Sequence, residues 1–148
     1  MDISDGLYQY LAGKTLLTAL IGSPPSLYPE IAPQNCQRPF VVFQQPECER
    51  EIHLGGASNI GEFYVTFDIY SDDVADRQSI GEALRNLLHT RGNVLLTDSS
   101  SNTARLENSI LKRDYTSAKF PPDGSEESVF CRTMAFEMQI REVVPTLP

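Results

Sequence analysis

Residues 62–70, Glu62-Phe63-Tyr64-Val65-Thr66-Phe67-Asp68-Ile69-Tyr70, decide the fold class. Phe63, Val65, Phe67 and Ile69 fall on one face, and Tyr64, Thr66, Asp68 and Tyr70 on the other. Period two with β-branched and aromatic residues predicts a strand buried on one side. The next residues change period. Ser71, Asp72 or Asp73 can cap a helix, and the acids suit its dipole. Val74, Arg77, Ile80, Leu84, Leu87 and Leu88 recur at helical spacing, with only Arg77 out of character. A helix is predicted over 72–89, closed by Arg91-Gly92-Asn93 with Gly92 as its C-terminal glycine.

Toward the N-terminus, Phe40-Val41-Val42-Phe43 is a short apolar run after Pro39, a strand start that can continue to about Ile52. Glu47–Glu51 looks solvent-facing, and residues 54–59 read as a flexible loop or wide hairpin tip. Residues 23–39 hold five prolines, so this stretch is stiff, cannot pair as a central strand and crosses the surface. Ile3–Ile21 reads as helical through Leu7, Tyr10, Leu11, Leu17, Leu20 and Ile21, capped by Ser4 or Asp5. Gly13 can break it in two.

Toward the C-terminus, residues 94–96 predict a short buried strand. Residues 104–115 predict another, with Leu106 and Ile110 on one side. Pro121-Pro122-Asp123-Gly124 marks a turn within a mobile loop over 116–128. A long strand closes the chain over 128–144, and residues 145–148 form a tail. The order is helix, strand, strand, helix, strands. That favours an α+β class: a single mostly antiparallel sheet with two helices packed on one face. The longest strands can extend past the core as a protruding β-hairpin. One domain over 1–148 is expected.

The 148 residues are 41% hydrophobic and 22% charged, a globular composition. Net charge is −8, which argues against a general nucleic-acid-binding surface and against anionic lipid. Residues 1–75 carry −7 of it. That is either ordinary scatter or one acidic face. Met1-Asp2-Ile3-Ser4-Asp5 has neither the basic nor the apolar segment of a signal peptide, and no apolar stretch is long enough to span a membrane. A cytoplasmic protein is expected. Cys36, Cys48 and Cys131 are odd in number and lack Cys-x-x-Cys spacing, so no disulfide framework is expected.

No motif declares an enzyme. Gly13-Lys14-Thr15 resembles the end of a phosphate loop, but the glycine required at position 8 is Tyr8. His53 and His89 lack ligand spacing, and a charged His89 at a helix C-terminus is explained by the dipole. Cys48 near His53 sits among carboxylates, which oppose thiolate formation. The acids at 47–51, 72–76 and 123–127 read as solvated surface. No catalytic residue, metal site or cofactor is expected. Three large loop segments, at 23–39, 54–61 and 119–128, point instead to contact with protein partners.

Several passages together resemble a known family. They are Leu7-Tyr8-Gln9-Tyr10-Leu11 with Leu16–Gly22, Leu27-Tyr28-Pro29-Glu30-Ile31-Ala32-Pro33, and Arg38-Pro39-Phe40-Val41-Val42-Phe43. The Leu54-Gly55-Gly56 loop, Phe63–Tyr70 and the helix ending Leu84-Arg85-Asn86-Leu87-Leu88 follow in order. The series resembles the phage tail-completion or tail-terminator proteins of long-tailed phages, prophages and gene-transfer particles. It covers residues 7–91, and beyond them the long closing strand alone fits. The longer Pro-rich passage and the 116–128 loop depart from the compact pattern.

The resemblance implies a structural virion protein without enzymatic activity. It implies a homo-oligomeric ring, commonly a hexamer, at the head-proximal end of the tail tube. Such a ring stops tube polymerisation and presents a surface for head-tail joining. The implied partners are further copies of the chain, the tail tube protein and the head-tail connector, with no membrane. The chain would assemble in the host bacterial cytoplasm and remain in the virion tail. DNA would pass through the ring without specific binding. Interface residues are expected at Glu47, Glu49, Arg50, Glu51, His53, Leu54, Lys119, Phe120, Asp123, Glu126 and Glu127. Glu47, Glu49, Glu51 and Glu62 would form an acidic lumen. Other readings are a head-tail connector (neck) protein, a small enzyme and a monomeric adaptor domain.

Overall fold

A computed structural model describes residues 2–22, 24–34, 36–44, 47–53, 56–89, 92–119 and 129–142, with the backbone alone at 47–53, 56–60, 119, 129 and 142. Its elements are α1 (Ile3–Ala12), α2 (Thr15–Ile21), β1 (Leu27–Pro29), β2 (Phe40–Phe43), β3 (Glu47–His53), β4 (Gly56–Ser71), α3 (Val74–Leu88), β5 (Val94–Thr97), β6 (Thr103–Lys119) and β7 (Val129–Glu142). The strands form one sheet in the order β1-β2-β4-β7-β6-β5, with β3 also paired to β4. Every pairing is antiparallel except β1 with β2. The expected α+β class holds. The sheet is mixed because β1, reached through the Pro-rich passage, enters beside β2 in the same direction.

The alternation in β4 does what its sequence dictates. Phe63, Val65, Phe67 and Ile69 are buried against the helices, with Met134, Phe136, Met138 and Ile140 of β7 beside them. Phe67 stacks on Phe43 and meets Phe136 edge-on. Ile80, Leu84, Leu87 and Leu88 of α3 close this core, with Leu7 and Leu11 of α1 and Leu17 of α2. Val74 lies at the end of the predicted stripe and is exposed.

The first predicted helix is two. α1 ends at a Gly13 cap, and α2 restarts at Thr15. The cap of α1 is Asp2, whose carboxylate accepts from the Asp5 N–H, so neither Ser4 nor Asp5 is the cap. Three helices therefore pack where two were expected. The Pro-rich passage does more than cross the surface. Ala32, with Tyr28 and Cys36, covers Phe40, Val42, Tyr70 and Cys131 on the sheet face away from the helices. Cys131 packs there as the small hydrophobe its strand position suggests.

Other features differ from expectation. β4 begins at Gly56, so residues 56–59 of the predicted 54–59 loop are strand, and Leu54 and Gly55 lie outside the described residues. Ladder pairing with β3 holds this Gly- and Ser-rich stretch extended, overriding its weak strand propensity. Gly56 and Ala57 pair with His53 and Ile52 of β3, and β7 joins β4 only from Ile60 onward, so this end of the hairpin extends past the described part of β7. β6 runs on through Lys119, so residues 116–119 are strand, and residues 120–128 of the predicted loop lie outside the described residues. β5 is an edge strand with Leu95 exposed, where a buried strand was expected.

Finally, Ile110 is not on the face of Leu106. A register shift between Leu106 and Asn108 turns Ser109 inward instead. Gly92 also has another reason than the one expected: α3 ends at His89, and a Cβ on Gly92 would lie 2.5 Å from the Glu107 carbonyl oxygen.

Candidate assembly surfaces

Among the described residues, the face of the sheet away from the helices is covered at β2 and open across β4, β7 and β6. Its floor is polar because register places alternate residues there. The Thr133 hydroxyl donates to Asp68 at 2.6 Å. Lys112 pairs with Glu137 at 3.4 Å and Arg141 with Glu107 at 2.9 Å. Tyr64 and Tyr115 are exposed on it, and Arg113 lies over the Tyr115 ring.

The expected interface residues divide between two places. Glu47, Glu49, Arg50, Glu51 and His53 belong to β3, with Glu49 the register partner of Glu62 and Glu47 that of Tyr64. Glu49 and Glu62, both expected in a lumen, are thus brought together on neighbouring strands. Lys119 is the last residue of β6, paired with Val129. The β3–β4 turn lies at one end of the long sheet, and the Lys119–Val129 pair at the other. Within one chain Lys119 therefore lies apart from the β3 residues. Leu54, Phe120, Asp123, Glu126 and Glu127 lie outside the described residues.

Under α3 lies a charged groove of about 320 Å³ lined by Arg77, Gln78, Glu82, Asp114, Tyr115, Thr116 and Arg132. Its floor is Arg132, which the sequence reading passed over. Arg132 sits in the inward register of β7 among Met134, Phe136 and Met138, yet it is only 9% exposed. It donates to both Asp114 oxygens at 2.8 and 2.7 Å, and Glu82 lies 3.6 Å away. These hydrogen bonds hold the Asp114 carboxyl below its ordinary range, against the opposing effect of burial. Gly81 makes room, since a Cβ there would fall 2.1 Å from Arg132 Nη1. The signal was present as an arginine in an apolar alternation and a glycine in an apolar helix stripe. A charge this fully paired anchors structure and leaves little for chemistry.

His89 Nδ1 accepts the Leu111 N–H at 3.0 Å, so the ring ties the end of α3 to β6, a contact beyond the helix-end role expected. At the opposite corner, Asp5 accepts from the Ser99 N–H at 2.7 Å and from the Ser99 hydroxyl. These bonds lower the Asp5 carboxyl and tie α1 to the β5–β6 turn. A shallow groove of about 540 Å³ beside them is lined by Asp2, Ser4, Asp5, Tyr8, Pro29 and Glu30. Among the described residues no group of three or more His, Cys, Asp or Glu is placed to hold a metal ion, and no helix is long and apolar enough to cross a membrane.

Comparison with known proteins gives three findings. No curated protein matches this sequence. A solved structure described as the virion of a native gene transfer agent particle contains a chain of similar fold, with a TM-score of 0.67, 17% sequence identity and 91% of each chain covered. At that identity the likeness concerns the fold. The profile of the family described as "Tail completion protein gp17" matches residues 5–116, which takes in every element from α1 to most of β6. The chain therefore belongs to the tail completion protein gp17 family.

Proposed function

We propose that this tail-completion protein acts by assembling into a ring, of about six copies, that seats on the head-proximal end of a tail tube. The ring halts tube growth and offers its other surface to the head-tail connector. The role is structural, with no reaction catalysed. Family membership over residues 5–116 carries this reading. The sheet adds a physical support. Its two lateral edges differ from one another, as a head-to-tail contact between copies requires, and such contacts close into rings.

The acidic residues have a place in the same reading. The register positions of Glu47 and Glu49, opposite Tyr64 and Glu62, bring acidic residues of neighbouring strands together, with Glu51 following in the irregular step after Arg50. Lining a passage, they would repel DNA phosphates and let the DNA slide. Light scattering with negative-stain imaging tests the assembly. Rings of about six copies, free or on tube ends, agree with it. A chain that stays monomeric under both conditions contradicts it.

A further inference from the structure

We infer that Cys36 and Cys131 are a dithiol pair that closes into a disulfide once the protein meets an oxidising medium, fastening the Pro-rich passage to the sheet. The inference goes beyond the ring reading and does not depend on it.

Three observations carry it. First, both thiols belong to one small apolar cluster. Cys131 of β7 is buried there with Ala32, Phe40, Val42 and Tyr70, and Cys36 packs against the same cluster from the passage. Both are free thiols. The reach is sufficient. Register partners run Phe40, Tyr70, Cys131 across β2, β4 and β7, so Cys131 lies two strand spacings from Phe40, about 10 Å. Cys36 precedes Phe40 by four residues, which span up to about 13 Å.

Second, access is ordered. Cys36 is half-buried, whereas Cys131 is fully buried. A soluble oxidant therefore meets Cys36 first. Third, Cys131 has a route for its proton. Its Sγ lies 3.9 Å from Thr133 Oγ1, and the Thr133 hydroxyl donates to Asp68 at 2.6 Å. With that proton committed to Asp68, the Thr133 oxygen is left to accept from the thiol.

The oxidant is a small-molecule disulfide of the glutathione class, acting in two exchanges. The Cys36 sulfur attacks it, a mixed disulfide forms, and one small thiol leaves with the Cys36 proton. The Cys131 sulfur then attacks the Cys36 sulfur. Its proton passes by way of Thr133 and Asp68 to the second departing thiol. Two protein thiols are oxidised, and one external disulfide is reduced to two thiols. A virion component passes from a reducing cell interior to an oxidising exterior, where disulfides persist. The bond would then hold the passage, and β1 within it, on the sheet.

The reduced 148-residue chain carrying Cys48→Ser, which leaves these two thiols alone, is incubated with oxidised glutathione. Intact mass and thiol alkylation after unfolding follow the reaction. The expected product is a single chain two hydrogens lighter, with no thiol left to alkylate. Its melting temperature should be about 5–10 °C higher and should fall back on reduction. In the wild type the same bond is read by non-reducing peptide mapping. Cys131→Ser should stop at one glutathione adduct on Cys36, and Cys36→Ser should leave Cys131 unmodified. Thr133→Val should form the Cys36 adduct at the normal rate and hold it several-fold longer. A two-thiol protein that stays reduced, keeps its Cys36 adduct, or joins chain to chain would overturn the pair. An unchanged adduct lifetime in Thr133→Val would overturn the proton route.

Discussion

Arg132 on β7 and Asp114 on β6 meet diagonally across their ladder through two hydrogen bonds, 2.8 Å from Nε to Oδ1 and 2.7 Å from Nη2 to Oδ2. Arg132 also reaches Gln78 O at 3.4 Å, so the pair ties the β6–β7 hairpin to α3. Asp114→Asn leaves the guanidinium with a weaker partner in a half-closed site. We expect a loss of about 2 kcal/mol, less than for a fully buried pair because Asp114 keeps contact with water. Urea unfolding measures it.

The same pair sets an acid dependence. Asp114 is held below its ordinary value of 3.8 by Arg132, and Asp5 by Ser99. A carboxyl depressed in the folded state stabilises fully above the unfolded value, and that contribution fades as pH falls through the folded one. Wild-type stability should therefore drop on acidification below about pH 4, and Asp114→Asn should drop less steeply. Urea midpoints between neutral pH and about pH 2.5 decide it.

Gly81→Ala puts the second half of this arrangement at risk. Alanine alone would favour the helix by about 1 kcal/mol. Its Cβ, however, would overlap an Arg132 side chain that Asp114 holds in place. A net loss of about 1–3 kcal/mol is expected. In an Arg132→Met background that loss should shrink, a coupling that a double-mutant cycle reads directly.

Ser109 offers a change in the opposite direction. It is fully buried, and its hydroxyl has no hydrogen-bond partner among the described residues. Removing a desolvated, unpaired hydroxyl relieves a cost, so Ser109→Ala should gain about 1 kcal/mol and raise the melting temperature by a few degrees. Thermal unfolding checks it.

His89→Leu should cost about 1–3 kcal/mol, because the Leu111 N–H then loses its acceptor beside a register shift. His89→Gln, which keeps an acceptor, should recover part of it. Hydrogen exchange at Leu111 reads the local effect apart from global stability.

These residues mark what a sequence can and cannot disclose. β4 and α3 are legible because each keeps one period over its buried length, and packing agrees with propensity. β6 is less so, since a bulge near Glu107 costs one residue and carries no compositional sign, yet it exchanges Ile110 for Ser109. Gly56–Gly61 is illegible as a strand, because β3 imposes its extension from outside. The acidic stretch at 47–51 is plain in the sequence, but its being a strand apart from β2, where one strand was expected to run on to about Ile52, is not. The exposed edge at Leu95 is not, since sheet order decides which short strand is left at the rim. Arg132 escapes for a similar reason: its partners come from α3 and β6, distant in sequence.

The central claim is a ring that ends a tube, and the length distribution of tubes polymerised from tail tube protein, with and without this chain, tests it most directly. The account predicts short tubes of limited length, each with added ring density at one end. Tubes that lengthen unchanged, with bare ends and the chain left monomeric in solution, would contradict it.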